Sequence, residues 1–180
     1  MSVLLCGDIV TSRLNLIAIT PETLLSEKSG DGRLGELIQC VIPGNWPHKD
    51  WEPHVFDWLL NQLAEHPDQL GWPRYVSFSP AGEQRTLIGT VGAGSKTATP
   101  SECEIGWGIL PQYEGRGFAT EGAKALIDYL RGDERIESLI AHTFPSLQAS
   151  VRVMEKCGMV LDGEGEDAGT IRYRLNLRSP

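Results

Sequence analysis

The stretch with the most chemical capacity is Pro111-Gln112-Tyr113-Glu114-Gly115-Arg116-Gly117-Phe118-Ala119-Thr120. Two glycines two positions apart end a strand-like run and open directly into a helical one. Glycine lets successive backbone N–H groups turn the same way with no Cβ between them. At a helix N-terminus those donors share a partial charge of about +0.5, which suits an anion such as a diphosphate. Arg116 adds a full charge at the rim. Taken alone, a G-x-G of this kind marks a tight strand-to-helix turn before it marks a ligand site. It is not the G-x-x-x-x-G-K-[ST] loop of nucleotide hydrolases. It also fails G-x-G-x-x-G, because Ala119 and Thr120 follow where a further glycine is needed.

A second chemical feature is the pair Glu102 and Glu104, two apart on a strand and therefore on one face. A carboxylate in a cleft can serve as a general base, a device worth roughly 10²–10⁴-fold in rate. The same spacing also fits carboxylates that do no more than solvate a strand. Other chemistries find less support. His48, His54, His66 and His142 are scattered, and Cys6, Cys40, Cys103 and Cys157 include no C-x-x-C pair, so no metal site is expected. Ser150 and His142 lack a nucleophile elbow, which removes a hydrolase.

Composition sets the frame for these groups. With 180 residues, 41% hydrophobic and 22% charged, the chain reads as one ordinary globular domain spanning 1–180. Sixteen Lys and Arg against 24 Asp and Glu leave a formal charge of −8. That balance argues against a nucleic-acid partner, which needs a clustered basic face, and leaves room for a cationic acceptor. Met1 to Val10 lacks the cationic and long apolar regions of a secretory leader, and no run approaches the roughly 20 apolar residues of a membrane span. The expectation is a soluble, cytoplasmic monomer or homodimer with no membrane partner.

The elements that must position these residues follow from pattern. Leu14 to Thr20 alternates as a first strand, and Thr20-Pro21-Glu22 supplies a cap, a first-turn proline and an acid for a helix. Leu34 to Cys40 is a second short helix. Trp51, Val55, Trp58, Leu59, Gln62 and Leu63 fall on one face of a helix over Trp51 to Glu65, with Asp50 as its cap. At that spacing Trp51 and Trp58 are core residues. Arg74 to Phe78, Thr86 to Ala93 and Glu102 to Leu110 form an antiparallel meander. Phe118, Gly122, Ala123, Leu126, Ile127 and Leu130 mark a helix with Gly132 at its C′ position. Arg135 to Thr143 is a strand. Ser146 caps a helix striped by Leu147, Val151, Met154 and Cys157 and closed by Gly158. Met159 to Leu161 and Thr170 to Leu177 end the chain as strands around an acidic loop. Strand, helix, strand implies a parallel crossover in a mixed sheet, so the class is α/β, or α+β by stricter bookkeeping.

Set in that order, Gln112-x-x-Gly115-x-Gly117 resembles the R/Q-x-x-G-x-G/A acyl-CoA-binding motif of the GNAT acetyltransferase superfamily. The resemblance extends to Glu104-Ile105-Gly106-Trp107-Gly108-Ile109 upstream and Ala119-Thr120-Glu121-Gly122 downstream. Ala149-Ser150-Val151-Arg152-Val153-Met154-Glu155-Lys156-Cys157-Gly158-Met159 looks like the family's S-x-x-x-x-E-K-x-G-F segment. Thr11-Ser12-Arg13-Leu14 looks like the T-x-R-L opening of the RimJ/RimL-like branch.

The resemblance implies a GNAT fold, a central twisted mixed sheet with an antiparallel N-terminal meander, splayed centrally and flanked by about four helices. It implies acetyl-CoA as cosubstrate, without a metal, and a primary amine as acceptor, either a protein N-terminal α-amine or a small molecule. Backbone groups at Ile109 and Leu110 would pair with the pantetheine arm. Gln112, Gly115, Arg116, Gly117, Phe118, Ala119 and Thr120 would hold the rest. Glu104 is the first candidate base by its motif position, with Glu102 second. Ser150 matches the family serine that faces the CoA sulfur, and no tyrosine acid lies on its helix. Where the family places asparagine, three residues before Ser150, this chain has Leu147, assigned here to the apolar stripe. Trp46 and Trp72, in loops beside prolines, are the candidates for the acceptor pocket. The resemblance thus implies direct amine acetylation in a ternary complex, with a catalytically silent acyl-CoA-binding sensor as the rival reading.

Overall fold

The computed structural model describes residues 6–48, 51, 53–81, 83–95 and 101–178. Eight strands form one sheet. They are β1 (Ile9–Val10), β2 (Leu14–Ala18), β3 (Arg74–Phe78), β4 (Thr86–Gly94), β5 (Glu102–Ile109), β6 (Ser138–Thr143), β7 (Val160–Glu164) and β8 (Ile171–Asn176). Their spatial order is β1-β2-β3-β4-β5-β6-β8-β7. Every neighbouring pair is antiparallel except β5 and β6. A parallel neighbour needs a crossover, and the connection from β5 to β6 is a helix. Five α-helices accompany the sheet, α1 (Pro21–Ser29), α2 (Leu34–Ile38), α3 (Pro53–Glu65), α4 (Phe118–Leu130) and α5 (Gln148–Lys156). Among the described residues that count agrees with the expectation of about four. The splayed mixed sheet and its antiparallel N-terminal meander are as the sequence led us to expect.

Local chemistry explains most boundaries. Thr20 caps α1 by accepting from the Thr23 amide at 3.2 Å, and the Thr23 hydroxyl accepts from the Thr20 amide at 2.9 Å. Pro21 opens the helix and Gly30, at φ 64°, closes it. Other expected ends differ. Helix α5 has Leu147 at its cap position without a side-chain cap, so Ser146 does not play that part. Gly132 follows α4 but is absent from the positive-φ glycines, and Arg131 before it is still right-handed. Strand β6 starts at Ser138 rather than Arg135, because Asp133 takes the Arg135 amide at 3.1 Å and holds the preceding residues in a turn. Trp51 precedes α3, and Asp50 lies outside the described residues.

The sheet has a core on each face. On one side α4 buries Phe118, Ala123, Leu126, Ile127 and Leu130 against Leu16, Val76, Ile88, Val91 and Ile105. Each such large side chain contributes about 1.5–3 kcal/mol by leaving water. On the other side α1, α2 and α3 bury Leu24, Leu34, Ile38, Phe56, Leu59 and Leu63 against Ile19, Tyr75 and Leu87. A bulge sets the division. Ser77 pairs with Leu87 but Val76 pairs with Gly89, which leaves Ile88 as an extra residue. Gly89 cannot be replaced there, since a Cβ would stand 2.2 Å from the Gly108 carbonyl oxygen. The bulge turns Ile88 and Val91 toward α4 while Leu87 faces α1–α3.

Two polar contacts fix the N-terminal part. In the second core Glu27 is held between Tyr75 Oη, which donates at 2.7 Å, and Trp46 Nε1, which donates at 2.6 Å. Burial pushes the Glu27 carboxyl above its ordinary value despite both donors. Glu121 of α4 accepts from Thr11 Oγ1 at 2.6 Å, from the Arg13 amide at 3.0 Å and from Arg13 Nε at 2.7 Å. Burial alone would raise the Glu121 carboxyl, but the bonds from Thr11 and Arg13 outweigh it and hold the group below its ordinary 4.5. The segment Thr11-Ser12-Arg13 is thereby tied to the first turn of α4.

Tyr75→Phe leaves one oxygen of buried Glu27 without its donor. It should lower stability by about 1–3 kcal/mol in chemical denaturation, and a loss under about 0.5 kcal/mol would contradict the bond's importance. A carboxyl depressed in the folded state stabilises above its unfolded value and loses that contribution as pH falls. Glu121→Gln should therefore cost about 2 kcal/mol at pH 7 and give a shallower fall in stability below pH 4.5. Equal acid sensitivity in the two proteins would count against the clamp.

Candidate active site

The site begins where two strands part. Strand β5 pairs with β6 only at Glu102 with Ser138, Cys103 with Leu139 and Glu104 with Ile140. Beyond that point β5 continues to Ile109 beside β4 alone, while β6 continues beside β8 alone. From Ile105 to Ile109 the β6 side of β5 therefore offers backbone groups outside any ladder. Gly106 and Gly108 remove cross-strand packing on this stretch, because a glycine has no side chain to pack across a strand pair.

At the end of β5 the chain turns through a 3-10 turn at Pro111–Tyr113, with Tyr113 donating to the Leu110 carbonyl at 2.8 Å. Gly115 at φ 72° and Gly117 at φ 80° then reverse it into α4. These left-handed values are open to glycine and cost other residues about 1–2 kcal/mol. The first intrahelical bond runs from the Glu121 amide to the Gly117 carbonyl at 3.0 Å. Among the described residues nothing accepts from the amide N–H of Gly115, Arg116, Gly117, Phe118, Ala119 or Thr120. Arg13 supports the turn by donating Nη1 to the Arg116 carbonyl at 3.0 Å. The Arg116 guanidinium rests 4.8 Å from the Phe118 ring centre and 5.1 Å from that of Phe78. The result is a turn of free amides with two guanidinium groups at its edge, an arrangement chemically suited to an anion.

The remaining residues of this stretch divide by exposure. Ile109, Leu110 and Phe118 bury their side chains, so only their backbone can face a ligand. Ala119 and Thr120 are half-buried. The Gln112 side chain exchanges two hydrogen bonds with Asn45, at 2.9 and 3.0 Å, and so joins this turn to the loop before α3.

A cleft of about 380 Å³ opens against the split, between α3 and strands β4 and β5. Glu104 lines it, with His142 beside it. His142 Nδ1 lies 2.9 Å from Glu104 Oε1. A hydrogen bond to a carboxylate oxygen uses the Nδ1 proton, and Nε2 is buried without a partner among the described residues. Glu102 is held otherwise, in an ion pair with Arg174 and within 3.4 Å of the Ser138 hydroxyl, and it does not line the cleft. Ser150 stands half-buried in the first turn of α5 and is not a cleft residue either. Leu147 is 52% exposed, so it does not pack with the stripe of α5 as the pattern suggested.

The aromatic assignments change most. Trp72 is 2% exposed within the core on the α4 side, and Trp46 packs into the other core with its indole N–H on Glu27. Neither lines the cleft, because Trp72 lies in a buried loop and Trp46 turns its indole from a surface loop onto Glu27. Trp58, expected in the core, lines it together with Trp107 and His48, and Trp51, which packs against the second core as expected, borders it too. Trp58 is 49% exposed. No group of three His, Cys, Asp or Glu among the described residues could hold a metal ion, and no described helix is long and apolar enough to cross a membrane.

Known proteins resemble this chain in sequence or in fold. The N-acetyltransferase YnaD of Bacillus subtilis, itself uncharacterized, is 38% identical over 60 residues, 33% of this chain and 35% of that protein. FsC-acetyl coenzyme A-N(2)-transacetylase of Aspergillus fumigatus is 23% identical over 150 residues, 78% of this chain and 64% of that protein. The chain thus spans about a third of one of these relatives and 64% of the other. RimL, a ribosomal L7/L12 alpha-N-protein acetyltransferase solved with coenzyme A, superposes with a TM-score of 0.64 over 94% of this chain and 98% of its own, at 15% identity. That likeness is one of fold. Residues 37–160 match the family model described as an acetyltransferase (GNAT) domain, and with the split sheet and glycine turn inside that range, the chain belongs to the GNAT acetyltransferase family.

Proposed function

We propose that this protein is an acetyl-CoA-dependent N-acetyltransferase, in which a primary amine attacks directly within a ternary complex. The observation that carries the reading is the split between β5 and β6, which leaves an unladdered strand edge running from a cleft carboxylate at Glu104 toward a turn of free amides. The residues fit the cosubstrate. Free amides from Gly115 to Thr120, with Arg116 at the rim, suit its diphosphate. The open edge of β5 from Ile105 to Ile109 suits the amide groups of a pantetheine arm, which can pair with it as a strand would.

Acetyl-CoA supplies the thioester carbon that the amine attacks. The protein's part is to deliver that amine uncharged. A lysine-like amine has a pKa near 10.4 and an α-amine about 7.7–8.0, so each is largely or partly protonated at neutral pH. Glu104 takes the proton from the acceptor ammonium, directly or through water. His142, by donating Nδ1–H to Oε1, holds that carboxylate in orientation. Ser150 is retained from the family pattern as donor to the departing sulfur. RimL's description as an alpha-N-protein acetyltransferase and that of the Aspergillus enzyme as an N(2)-transacetylase support an amine nitrogen as acceptor.

Gly117→Glu places a charge and a side chain where a diphosphate would bind. CoA affinity measured by calorimetry should fall at least 100-fold while circular dichroism stays native, and an unchanged affinity would remove the amide turn from the site. Glu104→Gln should lower kcat/KM roughly 10²–10⁴-fold, with the residual rate climbing as pH rises and more acceptor is already neutral. A pH profile parallel to that of the parent would return Glu104 to a structural part. CoA binding without thiol release from any amine would favour a sensor.

A further inference from the structure

We infer that the acceptor is a small primary monoamine on a flat aromatic body, held in a glycine-floored trough across β4 and β5. This deepens the proposed acetyl transfer and rests on it. In register, Thr90 faces Gly108, Gly92 faces Gly106 and Gly94 faces Glu104. Paired residues of antiparallel strands share a face. The bulge at Ile88 puts these six on the side of α3, since Val91 and Ile105 between them belong to the α4 core. Four of the six carry no side chain.

The consequence is a slot with few Cβ atoms on its floor, covered at Gly92 by Pro73, whose Cα stands 3.3 Å from the Cβ position there. A Cβ on Gly106 would meet no heavy atom within 4 Å, so the space above that glycine is open. At Gly94 the Cβ position lies 3.3 Å from Trp58 Cη2, so the indole hangs over one side of the slot. Trp51, Val55 and Leu59 complete an apolar roof, and Glu104 with His142 stands at one end. A half-exposed tryptophan over a glycine floor presents a ring face that folding itself has not consumed. Among the described cleft residues Glu104 is the one carboxylate. A second ammonium on the acceptor would lose its water against Val55 and Leu59 with no further carboxylate among the described cleft residues, which disfavours polyamines. The volume of about 380 Å³ is that of a small-molecule site.

The test uses the full chain with acetyl-CoA and four probes, tryptamine, phenylethylamine, spermidine and a hexapeptide with a free N-terminus. Thiol release gives kcat/KM, and calorimetry with CoA present gives tryptamine affinity. Tryptamine and phenylethylamine should exceed spermidine and the peptide at least tenfold in kcat/KM. Trp58→Ala should raise the KM for tryptamine about tenfold with CoA affinity unchanged, and Gly106→Val should abolish tryptamine binding. Preference for spermidine or the peptide, or a tryptamine KM indifferent to Trp58→Ala, overturns the aromatic acceptor and leaves acetyl transfer standing. Tryptamine binding that Trp58→Ala weakens, without thiol release from any probe, supports the trough and overturns the catalysis. No binding of tryptamine overturns the trough outright.

Discussion

Backbone pairing between β5 and β6 ceases after Glu104 and Ile140, and the site depends on where it ceases. A parallel pair that continued would satisfy the edge of β5 and close the groove. Because it stops, one strand keeps its donors and acceptors available along the stretch that leads to the free amides before α4. The last paired position is also the one that carries Glu104, so the carboxylate marks the apex of the opening. His142, two residues beyond Ile140, reaches back across the gap to it. Structure and chemistry therefore meet at one register choice.

That choice is enforced from both faces. The α4 side is filled by large aliphatics that lock the sheet to the crossover helix. The α3 side is filled only as far as Leu87, after which the bulge and the glycines withdraw the side chains that would have continued the core. The second core thus ends in a cleft. A protein interior packs to near crystal density, so an opening of this kind has to be built by residues that decline to fill it. Glycines at alternate positions on two paired strands do that without loosening the fold elsewhere.

Sequence pattern revealed the punctuation well and the facing relations poorly. Arg74–Phe78 is bounded by Pro73 and Pro80, and α1 by Thr20, Pro21 and Gly30, all residues whose backbone preferences act locally. The turn at Gly115 and Gly117 was legible for the same reason. The tryptophans were not. Helical period identifies a face of α3, but not that the strands opposite it are glycine, so Trp58 read as core. Trp72 read as a pocket residue because it lies in a loop beside Pro73, yet it is buried in the core on the α4 side. The Glu104–His142 contact spans 38 residues and rests on a parallel register that no local signal encodes. Two hints were present in the sequence, Gly92-Ala93-Gly94 and Gly106-Trp107-Gly108, whose repeated G-x-G on neighbouring strands marks a hollow.

The clamp on Glu121 has a consequence for the order in which the molecule assembles. Its partners Thr11, Ser12 and Arg13 lie 110, 109 and 108 residues earlier in the chain. Closing a loop of that span carries a large entropic cost relative to local contacts. Arg13 also reaches the Arg116 carbonyl inside the anion turn. The glycine turn is thus braced by residues more than a hundred positions earlier, so its geometry depends on the opening strand having docked against α4.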